Sequence, residues 1–513
     1  MISRNVEAVL ARVATFAIDG VDPRQVSVEV DIRAGLPAFT IVGLGDTAVR
    51  ESRERIRSAI LNSGYEFPQR RITANLAPAF LRKAGPGFDL AIAFGVLAAS
   101  GQLALKALAT VAVFGELSLG GALRDCAGAL AVAEGARRAG LARLIVPTER
   151  AREAALVEEL AVLGVGDLRS AVDAATGARV PPSPAAIGPR ERAQEPDLAD
   201  VRGHAAPLLA LEIAAAGGHN LLFEGPPGTG KTMLARRLPS ILPPMTRAEA
   251  LEVTRIQSVA GLHAAGLIET RPFRAPHHTV SASGLVGGGS PPRPGEATLA
   301  NHGVLFLDEL SEFNRASLEA LRQPLEDGRV TIVRGQRALV FPTRFMLLAA
   351  TNPCPCGFAG VGDRCACGEA ELRRHRRRLS GPLLDRIDLL VDVQRPLERE
   401  LAAGPGVDST TVRARVSEAR ERQLCRLEGS RAGCNGEMDA REVRACVRLD
   451  ERAAAAIARA YEAGALSARG RHRILRVART IADLDRRERV GEGDVLLALS
   501  MRQRAAGEGL LAA

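Results

Sequence analysis

The sequence predicts an α/β protein in which a parallel sheet carries a glycine-rich loop and a helical region follows. Three observations predict this class. A short apolar run, Asn220–Glu224, leads directly into the glycine-rich loop. Two more continuous apolar runs, Val304–Leu307 and Phe345–Ala350, have the composition of strands that are covered on both faces of a sheet. After about residue 396 the chain is rich in Ala, Arg and Glu, which is typical of helices.

The N-terminal part of the chain predicts a separate α+β domain. Val26–Ile32 alternates like a strand, Leu130–Leu141 is an alanine-rich helix, and Arg143–Pro147 reads as a strand. A Pro-rich stretch from Val180 to Pro189, followed by charged residues, has the composition of a linker. The predicted division is therefore an N-terminal domain, a linker, an α/β core and a helical region, over residues 1–175, 176–197, 198–395 and 396–513.

Length and charge limit the architecture and the partners of the chain. With 513 residues it is too long for one ordinary core, so several domains are expected. The formal net charge of +9 favours an anionic partner. Because the chain has no Trp and only two Tyr, arginine contacts to phosphates would dominate over base stacking. The start does not resemble a signal peptide and no apolar run reaches about 18 residues, so a cytoplasmic protein without membrane spans is expected.

The glycine-rich loop predicts a nucleotide site. It fits the phosphate-loop pattern with Gly225, Pro226, Pro227, Gly228, Thr229, Gly230, Lys231 and Thr232. Only three of the 68 basic residues are lysines, and one of them is at the position that reaches the β- and γ-phosphates. The alternative is a glycine-rich turn that matches the pattern by chance. The strand before the loop and the predicted helix after it, Met233–Leu242, favour nucleotide binding.

Polar residues at the ends of the other two apolar runs complete the predicted site. Asp308, with Thr232, would hold Mg²⁺, and Glu309 would polarise the attacking water. Asn352 would orient that water near the γ-phosphate. The alternatives are two solvated acids at a strand end and an ordinary turn-forming Asn.

The order of phosphate loop, Asp-Glu strand and Asn strand resembles the AAA+ ATPases. The motifs narrow this to the magnesium-chelatase branch and, within it, to the ComM/YifB-type proteins; they are Arg274–Val280, Val286–Gly289, Pro294–Ala300, Gly303–Leu310, Ala350–Gly357 and Leu383–Asp388. The resemblance implies ATP and Mg²⁺ as ligands and assembly into a hexameric ring. It also implies a helicase that acts on branched or single-stranded DNA and promotes branch migration of recombination intermediates, as in natural transformation.

The resemblance also implies roles for further residues. Arg386 would be the arginine finger that acts on ATP of the neighbouring subunit, and Arg476 would be the sensor arginine of a helical lid. Arg473 and Arg479 compete for the second role, and a plain Asp–Arg surface pair is the alternative for the first. His204 is a departure, since the family usually has Gln there; it would alter contacts on the adenine side.

Two basic elements are candidates for DNA contact. Val330–Arg334 and Arg337–Phe341 flank a Gly-containing pair and predict a hairpin whose tip presents Arg334, Gln336 and Arg337. Its position resembles the hairpin that points into the ring pore in this branch, where arginines would follow a phosphate backbone. An ordinary charged hairpin tip is the alternative. The run Arg373–Arg378 is either a solvated helix face or a second DNA-contacting element.

Four cysteines predict a zinc site. Cys354, Cys356, Cys365 and Cys367 form two C-x-C pairs with eight residues between them, and each pair is followed by Gly. Four thiolates suit tetrahedral zinc. A reduced, metal-free loop and disulfide pairs are the alternatives.

The N-terminal domain resembles the Lon-protease-like domain of the same family, but without its catalytic residues. Lys83–Leu90 is similar to the loop that carries the nucleophilic serine of Lon, and Gly87 stands at the corresponding place. Leu130 lies near the position of the catalytic lysine. Without a nucleophile and its base, acyl transfer has no mechanism, so a degenerate scaffold is expected.

Three other functions compete with the DNA motor. A magnesium-chelatase-type subunit would act on a porphyrin with partner subunits; the N-terminal domain and the C-x-C pairs speak against it. An ATP-dependent protease is disfavoured by the missing Ser and Lys. A DNA-binding scaffold without enzymatic activity would require Glu309 and Arg386 to be dispensable for hydrolysis.

Overall fold

A computed structural model describes residues 10–502 except 44, 84, 183–195, 263–265, 290–291, 335–336, 379–380, 403, 405 and 465. Most of the predicted linker therefore lies outside the described residues. The described residues form two large sheets covered by helices, and one of these sheets is entirely parallel. The predicted α/β class is confirmed.

The N-terminal region is built on a seven-stranded mixed sheet with the order β3-β4-β2-β1-β5-β8-β9. Helix α2 is buried along its whole length, because its apolar sequence packs against β1 and β2. The elements of this region are β1 Ala11–Asp19, β2 Asp22–Arg33, β3 Ala38–Val42, α1 Thr47–Asn62, β4 Arg71–Ala77, α2 Asp89–Ala99, β5 Val111–Val113, β6 Glu116–Leu117, β7 Leu123–Arg124, α3 Ala129–Arg138, β8 Arg143–Pro147, α4 Thr148–Ala154, β9 Ala161–Val165 and α5 Leu168–Thr176.

The N-terminal elements that the sequence predicts are present with small shifts. The strand at Arg143–Pro147 has the predicted bounds, and the strand at Val26–Ile32 is the inner part of β2. Helix α3 is shorter than predicted and ends at Arg138, because Gly140 takes a left-handed conformation with φ of 71° and turns the chain toward β8.

The second region is built on a five-stranded parallel sheet with the order β11-β14-β17-β10-β18. Its three inner strands are the apolar runs that the sequence singles out. The elements are α6 Ala205–Gly217, β10 Leu221–Glu224, α7 Lys231–Ala235, α8 Leu238–Ile241, α9 Arg247–Val259, β11 Phe273–Arg274, α10 Ala282–Val286, β12 Gly287–Gly288, β13 Arg293–Pro294, α11 Glu296–Leu299, β14 Val304–Leu307, α12 Arg315–Ala320, α13 Arg322–Asp327, β15 Arg329–Arg334, β16 Arg337–Pro342, β17 Met346–Thr351, α14 Glu369–Arg378, α15 Gly381–Leu384 and β18 Leu389–Asp392.

The prediction of a single helix over Met233–Leu242 is wrong. The chain forms two short helices there, α7 and α8, which are separated at Arg236 and Arg237. Pro239 has no N–H group to donate to the carbonyl four residues earlier, so the first helix cannot continue through it. Pro239 instead occupies a position in the first turn of α8, where a missing N–H costs little.

The described residues after 396 form helices joined by turns and loops, as predicted. Helices Ser409–Arg426 (α17) and Ala468–Leu484 (α20) pack against α6, and their apolar faces belong to the same core as the parallel sheet. The polar residues Gln423, Asn435, Thr480 and Asp483 are buried between these helices and bond to one another or to Arg426. The elements are α16 Glu398–Leu401, α17 Ser409–Arg426, α18 Ala440–Cys446, α19 Glu451–Glu462, α20 Ala468–Leu484 and α21 Glu492–Ser500.

The N-terminal region contacts the second region along α9 and the hairpin β15–β16. Val21, in the turn between β1 and β2, is buried in one apolar cluster with Ile256 of α9 and with Val330 and Phe341 at the base of the hairpin. Ser258 donates a hydrogen bond to the buried carboxylate of Glu153 across the same boundary. The hairpin base is therefore packed against both regions.

Candidate functional site

The glycine-rich loop lies at the carboxyl end of β10, between that strand and α7. Gly228 and Gly230 have φ of 76° and 88°, a left-handed conformation that favours glycine. Lys231 and Thr232 begin α7 directly after the loop. This strand–loop–helix arrangement is the structural context that the phosphate-loop pattern requires.

The ammonium group of Lys231 is held inside the loop. Its Nζ atom donates to the carbonyl oxygens of Gly225 at 2.7 Å and Pro226 at 2.8 Å, and to Oδ1 of Asn352 at 3.1 Å. Burial lowers the pKa of Lys231, while the nearby carboxylates of Asp308, Asp392 and Glu309 act in the opposite direction. A triphosphate bound in the loop would add further negative charge beside this partly desolvated cation.

The predicted magnesium ligands are adjacent. Oγ1 of Thr232 donates to Oδ2 of Asp308 at 2.7 Å, and Oδ1 of Asp308 accepts from the N–H group of Glu309 at 3.0 Å. The two side chains come from different elements, the start of α7 and the end of β14. Hydroxyl and carboxylate oxygens are the donor set that Mg²⁺ prefers beside phosphates.

Glu309 follows Asp308 in a strained backbone conformation. Its φ of 52° lies in the left-handed region, which is uncommon for a residue with a side chain and is frequent at functional sites. The side chain is 58% exposed, and its Oε2 atom lies 3.7 Å from Nδ1 of His278. His278 belongs to a motif quoted in the sequence, but its contact with Glu309 depends on the pairing of β11 with β14 and was not predicted.

Asn352 lies at the end of β17, beside the loop, and is held on both sides. Its side chain accepts from Lys231, and its backbone carbonyl lies 2.9 Å from Nε2 of His375. His375 is buried, although the run Arg373–Arg378 around it is largely exposed on α14. Sequence reasoning missed His375 because the basic run hides one inward-facing position.

Arg386 and Arg476 lie near the amino ends of the parallel strands, whereas Lys231 lies at their carboxyl ends. The backbone carbonyl of Arg386 accepts from Nδ2 of Asn220, which directly precedes β10. Arg476 donates to the carbonyl of Gly436 at 3.0 Å, and this segment lies against Gly217 and Gly218, also before β10. A strand of four residues spans about 13 Å. The two arginines therefore do not share a site with Lys231 of the same chain.

The Arg386 side chain lies in a cluster of positive charge. It forms an ion pair with Glu326 and is 11% exposed. Burial, followed by repulsion from Arg322, Arg469 and Arg473, lowers the pKa of Arg386. An anion from another molecule would relieve this repulsion.

Of the three arginines considered for the sensor role, Arg479 has a structural role. Its guanidinium is buried and donates to the carbonyls of Arg487 and Glu488. Arg473 is 3.5 Å from Asp385, next to Arg386, and its Nη1 atom has no hydrogen-bond partner among the described residues.

The predicted hairpin is formed by β15 and β16, which pair antiparallel from Arg329 opposite Pro342 to Arg334 opposite Arg337. Gln336 lies outside the described residues. The structure gives the backbone positions of Arg334 and Arg337 at the ends of the two strands but does not describe their side chains.

His204 lies beside the phosphate loop. Its Nε2 atom is 3.5 Å from the position that a Cβ atom would take on Gly230. Burial lowers the pKa of His204 and so favours the neutral imidazole, although Glu400 acts in the opposite direction. A neutral imidazole beside the phosphate loop can donate one hydrogen bond and accept another.

The four predicted zinc ligands come together in the segment after Asn352. Their sulfur atoms all lie within 4.8 Å of one another. All four are free thiols in the structure.

In the N-terminal region, neither of the two positions compared with the catalytic residues of Lon offers a catalytic side chain. A Cβ atom on Gly87 would lie 2.5 Å from the ring of Phe114, so the backbone has no room for a nucleophilic side chain there. Leu130 is buried, and its N–H group donates to Oε1 of Glu153 at 3.0 Å.

Comparison with known proteins identifies the class. Residues 197–401 match the family model described as magnesium chelatase, subunit ChlI. Residues 28–150 match subunit ChlI of Mg-chelatase, and residues 406–502 match magnesium chelatase, subunit ChlI C-terminal. The parallel sheet with its phosphate loop is consistent with a P-loop AAA+ domain.

Curated relatives match over nearly the whole chain. An uncharacterized protein of Mycobacterium tuberculosis is 43% identical over 97% of this chain and 99% of its own length. The uncharacterized protein YifB of Salmonella typhimurium is 43% identical, and the competence protein ComM of Haemophilus influenzae is 41% identical; each match covers 96% of this chain and 97% of the relative. The chain belongs to the ComM/YifB-type magnesium-chelatase-like proteins.

One further expectation concerns membranes. Among the described helices, none combines the length and the apolar character that crossing a bilayer requires.

Proposed function

We propose that this protein is a ring-forming, hexameric ATPase that moves along DNA and promotes branch migration of recombination intermediates, as in natural transformation. The observation that carries the proposal is the convergence of Lys231, Thr232, Asp308 and Asn352 at one edge of the sheet. The 41% identity to a competence protein over nearly both full lengths supports the DNA-directed part.

In the proposed mechanism, the backbone N–H groups of the loop and Lys231 bind the ATP phosphates. Thr232 and Asp308 would hold Mg²⁺, which neutralises charge that develops on the phosphates. Glu309 polarises the attacking water, and Asn352 orients it. Burial lowers the pKa of Lys231 and so disfavours its charged form. A bound phosphate would stabilise the ammonium ion by its negative charge.

The distance between Lys231 and Arg386 supports assembly. If Arg386 and Arg476 contact ATP, they contact the ATP of a neighbouring subunit, because in their own chain the sheet separates them from the phosphate loop. The arginine cluster with its lowered Arg386 pKa is the kind of surface that an incoming triphosphate would neutralise. Hydrolysis would then depend on ring closure, which is the usual consequence of an arginine finger supplied in trans.

The proposed DNA contacts are at the hairpin tip, with Arg334, Gln336 and Arg337. Arginines there would bind phosphates without reading bases. The net charge of +9 and the absence of Trp are consistent with this electrostatic mode.

The proposed domain division is a Lon-protease-like domain over 1–175, a linker over 176–197, an AAA+ core over 198–395 and a helical lid over 396–513. The family matches support it, since they break between residues 150 and 197 and between 401 and 406. The position of the Phe114 ring, 2.5 Å from where a Cβ atom on Gly87 would lie, supports a non-catalytic N-terminal domain.

A Glu309→Gln variant tests the proposal. It should bind ATP with unchanged affinity but neither hydrolyse it nor unwind a model four-way junction, because the neutral amide cannot polarise water. Glu312→Gln is the matched control, since Glu312 is an exposed acid three residues further on. Normal junction unwinding by Glu309→Gln would overturn the motor mechanism.

A magnesium-chelatase-type function is the second candidate, because all three family matches carry that description. The two functions differ in what stimulates ATP turnover. Branched DNA should stimulate the wild-type protein if it is a DNA motor, whereas a porphyrin together with chelatase partner subunits should stimulate it in the alternative case.

A further inference from the structure

The segment between β17 and α14 gathers four thiols into one cluster. The Sγ atoms of Cys354 and Cys356 are 3.3 Å apart, those of Cys354 and Cys365 are 3.8 Å apart, and those of Cys356 and Cys365 are 3.7 Å apart. Cys367 completes the set, with all four sulfur atoms within 4.8 Å of one another. Eight residues of sequence separate the two pairs, so their meeting is a property of the fold.

These distances match a tetrahedral metal site. Four thiolates around zinc, with Zn–S bonds of about 2.3 Å, lie about 3.8 Å from one another. A disulfide requires a separation of about 2 Å, which these pairs do not have. The set contains only sulfur ligands, which favours zinc over magnesium, calcium or manganese.

The backbone around the cluster is also shaped for a metal. The N–H group of Ala359 donates to Sγ of Cys354 at 3.2 Å. The N–H group of Gly357 donates to the carbonyl of Cys354 at 3.0 Å and closes a tight turn. Gly357 has φ of 86°, a conformation that glycine allows without strain.

The same turn lies against the phosphate loop. A Cβ atom on Gly357 would lie only 2.6 Å from Cδ of Pro227, so glycine is required for this approach. Two residues before Cys354, Asn352 accepts a hydrogen bond from Lys231. The cysteine segment therefore contacts the nucleotide site at two points, Pro227 and Lys231.

We propose that Cys354, Cys356, Cys365 and Cys367 bind one Zn²⁺ ion, and that this ion fixes Asn352 and the phosphate loop in their relative positions. Zinc makes no contact with nucleotide in this proposal. It restrains Pro353, the single residue between Asn352 and Cys354, and the turn at Gly357. Only the effect on the nucleotide site rests on the proposed ATP binding; the metal site itself does not.

Metal analysis of the intact wild-type chain tests the first half. Protein purified with a thiol reductant and without chelators should contain one equivalent of zinc by mass spectrometry of the metal. Cys365→Ser and Cys367→Ser should lose it, whereas Cys425→Ser should retain it, because Cys425 is exposed on α17 and outside the cluster. Absence of zinc, or an equivalent of iron in its place, would overturn the assignment.

A measurement on wild-type protein avoids the question of whether the variants fold. Zinc is removed with a mercurial reagent and replaced by Co²⁺, which should give the visible absorption of a tetrahedral tetrathiolate site. A spectrum typical of oxygen ligands or of octahedral cobalt would contradict the proposed ligand set.

The second half is tested by nucleotide binding. Zinc-depleted protein should bind a fluorescent ATP analogue about tenfold more weakly, with recovery when zinc is added back. The same depletion treatment applied to Cys367→Ser should change nothing further. Unchanged affinity after depletion would show that the metal does not position the phosphate loop, even if zinc is bound. Failure of the DNA-motor function would leave both results unaffected.

Discussion

Nζ of Lys231 donates a hydrogen bond to Oδ1 of Asn352 over 3.1 Å, and this bond joins two motifs that are 121 residues apart in the chain. It exists because β10 and β17 are parallel neighbours whose carboxyl ends meet at one edge. The bond holds the Asn352 amide beside the loop before any nucleotide is bound, so the residue is positioned in advance.

We expect Asn352→Ala to lower kcat for ATP hydrolysis about 100-fold while changing ATP affinity only slightly, because water positioning is lost and the phosphate cradle remains. Steady-state turnover and equilibrium nucleotide binding check the two parts separately. Asn62→Ala, on a helix of the N-terminal region, is the control and should keep normal turnover. A large loss of affinity with unchanged kcat would contradict this role.

Mixing of inactive subunits tests whether the active site lies between chains. Arg386→Ala alone should lose at least about 1,000-fold in turnover, as for other arginine fingers, and Lys231→Ala should lose nucleotide binding. A mixture of the two should recover measurable ATPase activity, since some interfaces combine an intact loop with an intact Arg386. No recovery across mixing ratios, with assembly confirmed by light scattering, would exclude complementation between neighbours.

The hairpin prediction concerns salt dependence. An Arg334→Ala, Arg337→Ala double variant should bind DNA more weakly for every sequence, and the slope of log affinity against log salt should fall by about one for each arginine. Fluorescence anisotropy over a salt series measures both. Arg33→Ala is a control, because Arg33 is exposed in the N-terminal sheet and pairs with Asp31. An unchanged slope would remove these arginines from the DNA interface.

Gly87→Ser tests the N-terminal region. The added side chain meets the Phe114 ring, so we expect the free energy of unfolding to fall by about 1–3 kcal/mol without any gain of peptidase activity. Denaturant unfolding and a casein assay provide the measurements. Gly166→Ser is the matched control, since nothing lies within 4 Å of a Cβ atom there. Peptidase activity in Gly87→Ser would mean that a functional base remains in this region.

Asp388 gives a pH prediction. Burial raises the pKa of Asp388, but the His219 ring, whose Nδ1 atom lies 3.7 Å from Oδ2, together with Arg476 and the Asn220 N–H group, outweighs burial and leaves the pKa below its usual range. A carboxyl whose pKa is depressed by folding stabilises the fold above its unfolded pKa and loses this contribution as the pH falls through the folded value. Asp388→Asn should therefore lower the free energy of unfolding by about 3 kcal/mol at neutral pH.

The difference between Asp388→Asn and wild type should shrink below about pH 4, where the wild-type carboxyl also becomes neutral. Chemical denaturation over a pH series measures it. Asp485→Asn, at a largely exposed position, should show no such pH dependence. A difference that stays constant into acid would mean that Asp388 is not charged in the folded protein.

The sequence predicted the parts of the site that are contiguous in the chain. The phosphate loop, the Asp308–Glu309 pair and the buried strands before them are local patterns, and the structure has them with nearly the predicted bounds. Parallel pairing then brings their ends together, which follows from the apolar runs.

The remaining features depend on tertiary packing. His278 meets Glu309 because β11 pairs with β14, and no local pattern signals that contact. His375 faces Asn352 from within a basic run whose other members are all exposed. The position of Arg476 at the amino ends of the parallel strands follows from the packing of α20 on α6, and no local pattern in the helical sequence predicts that packing.

The packing of Val21 against Phe341 has a mechanical consequence. The turn between β1 and β2 covers the base of the hairpin that is proposed to contact DNA, so any movement of this hairpin would have to carry the turn with it or pivot against it. The N-terminal region would then either move together with the hairpin or provide the fixed surface against which the hairpin pivots. A truncated chain without the N-terminal region would expose the apolar residues Val330 and Phe341 at the hairpin base. We expect such a chain to hydrolyse ATP but to unwind less DNA for each ATP hydrolysed.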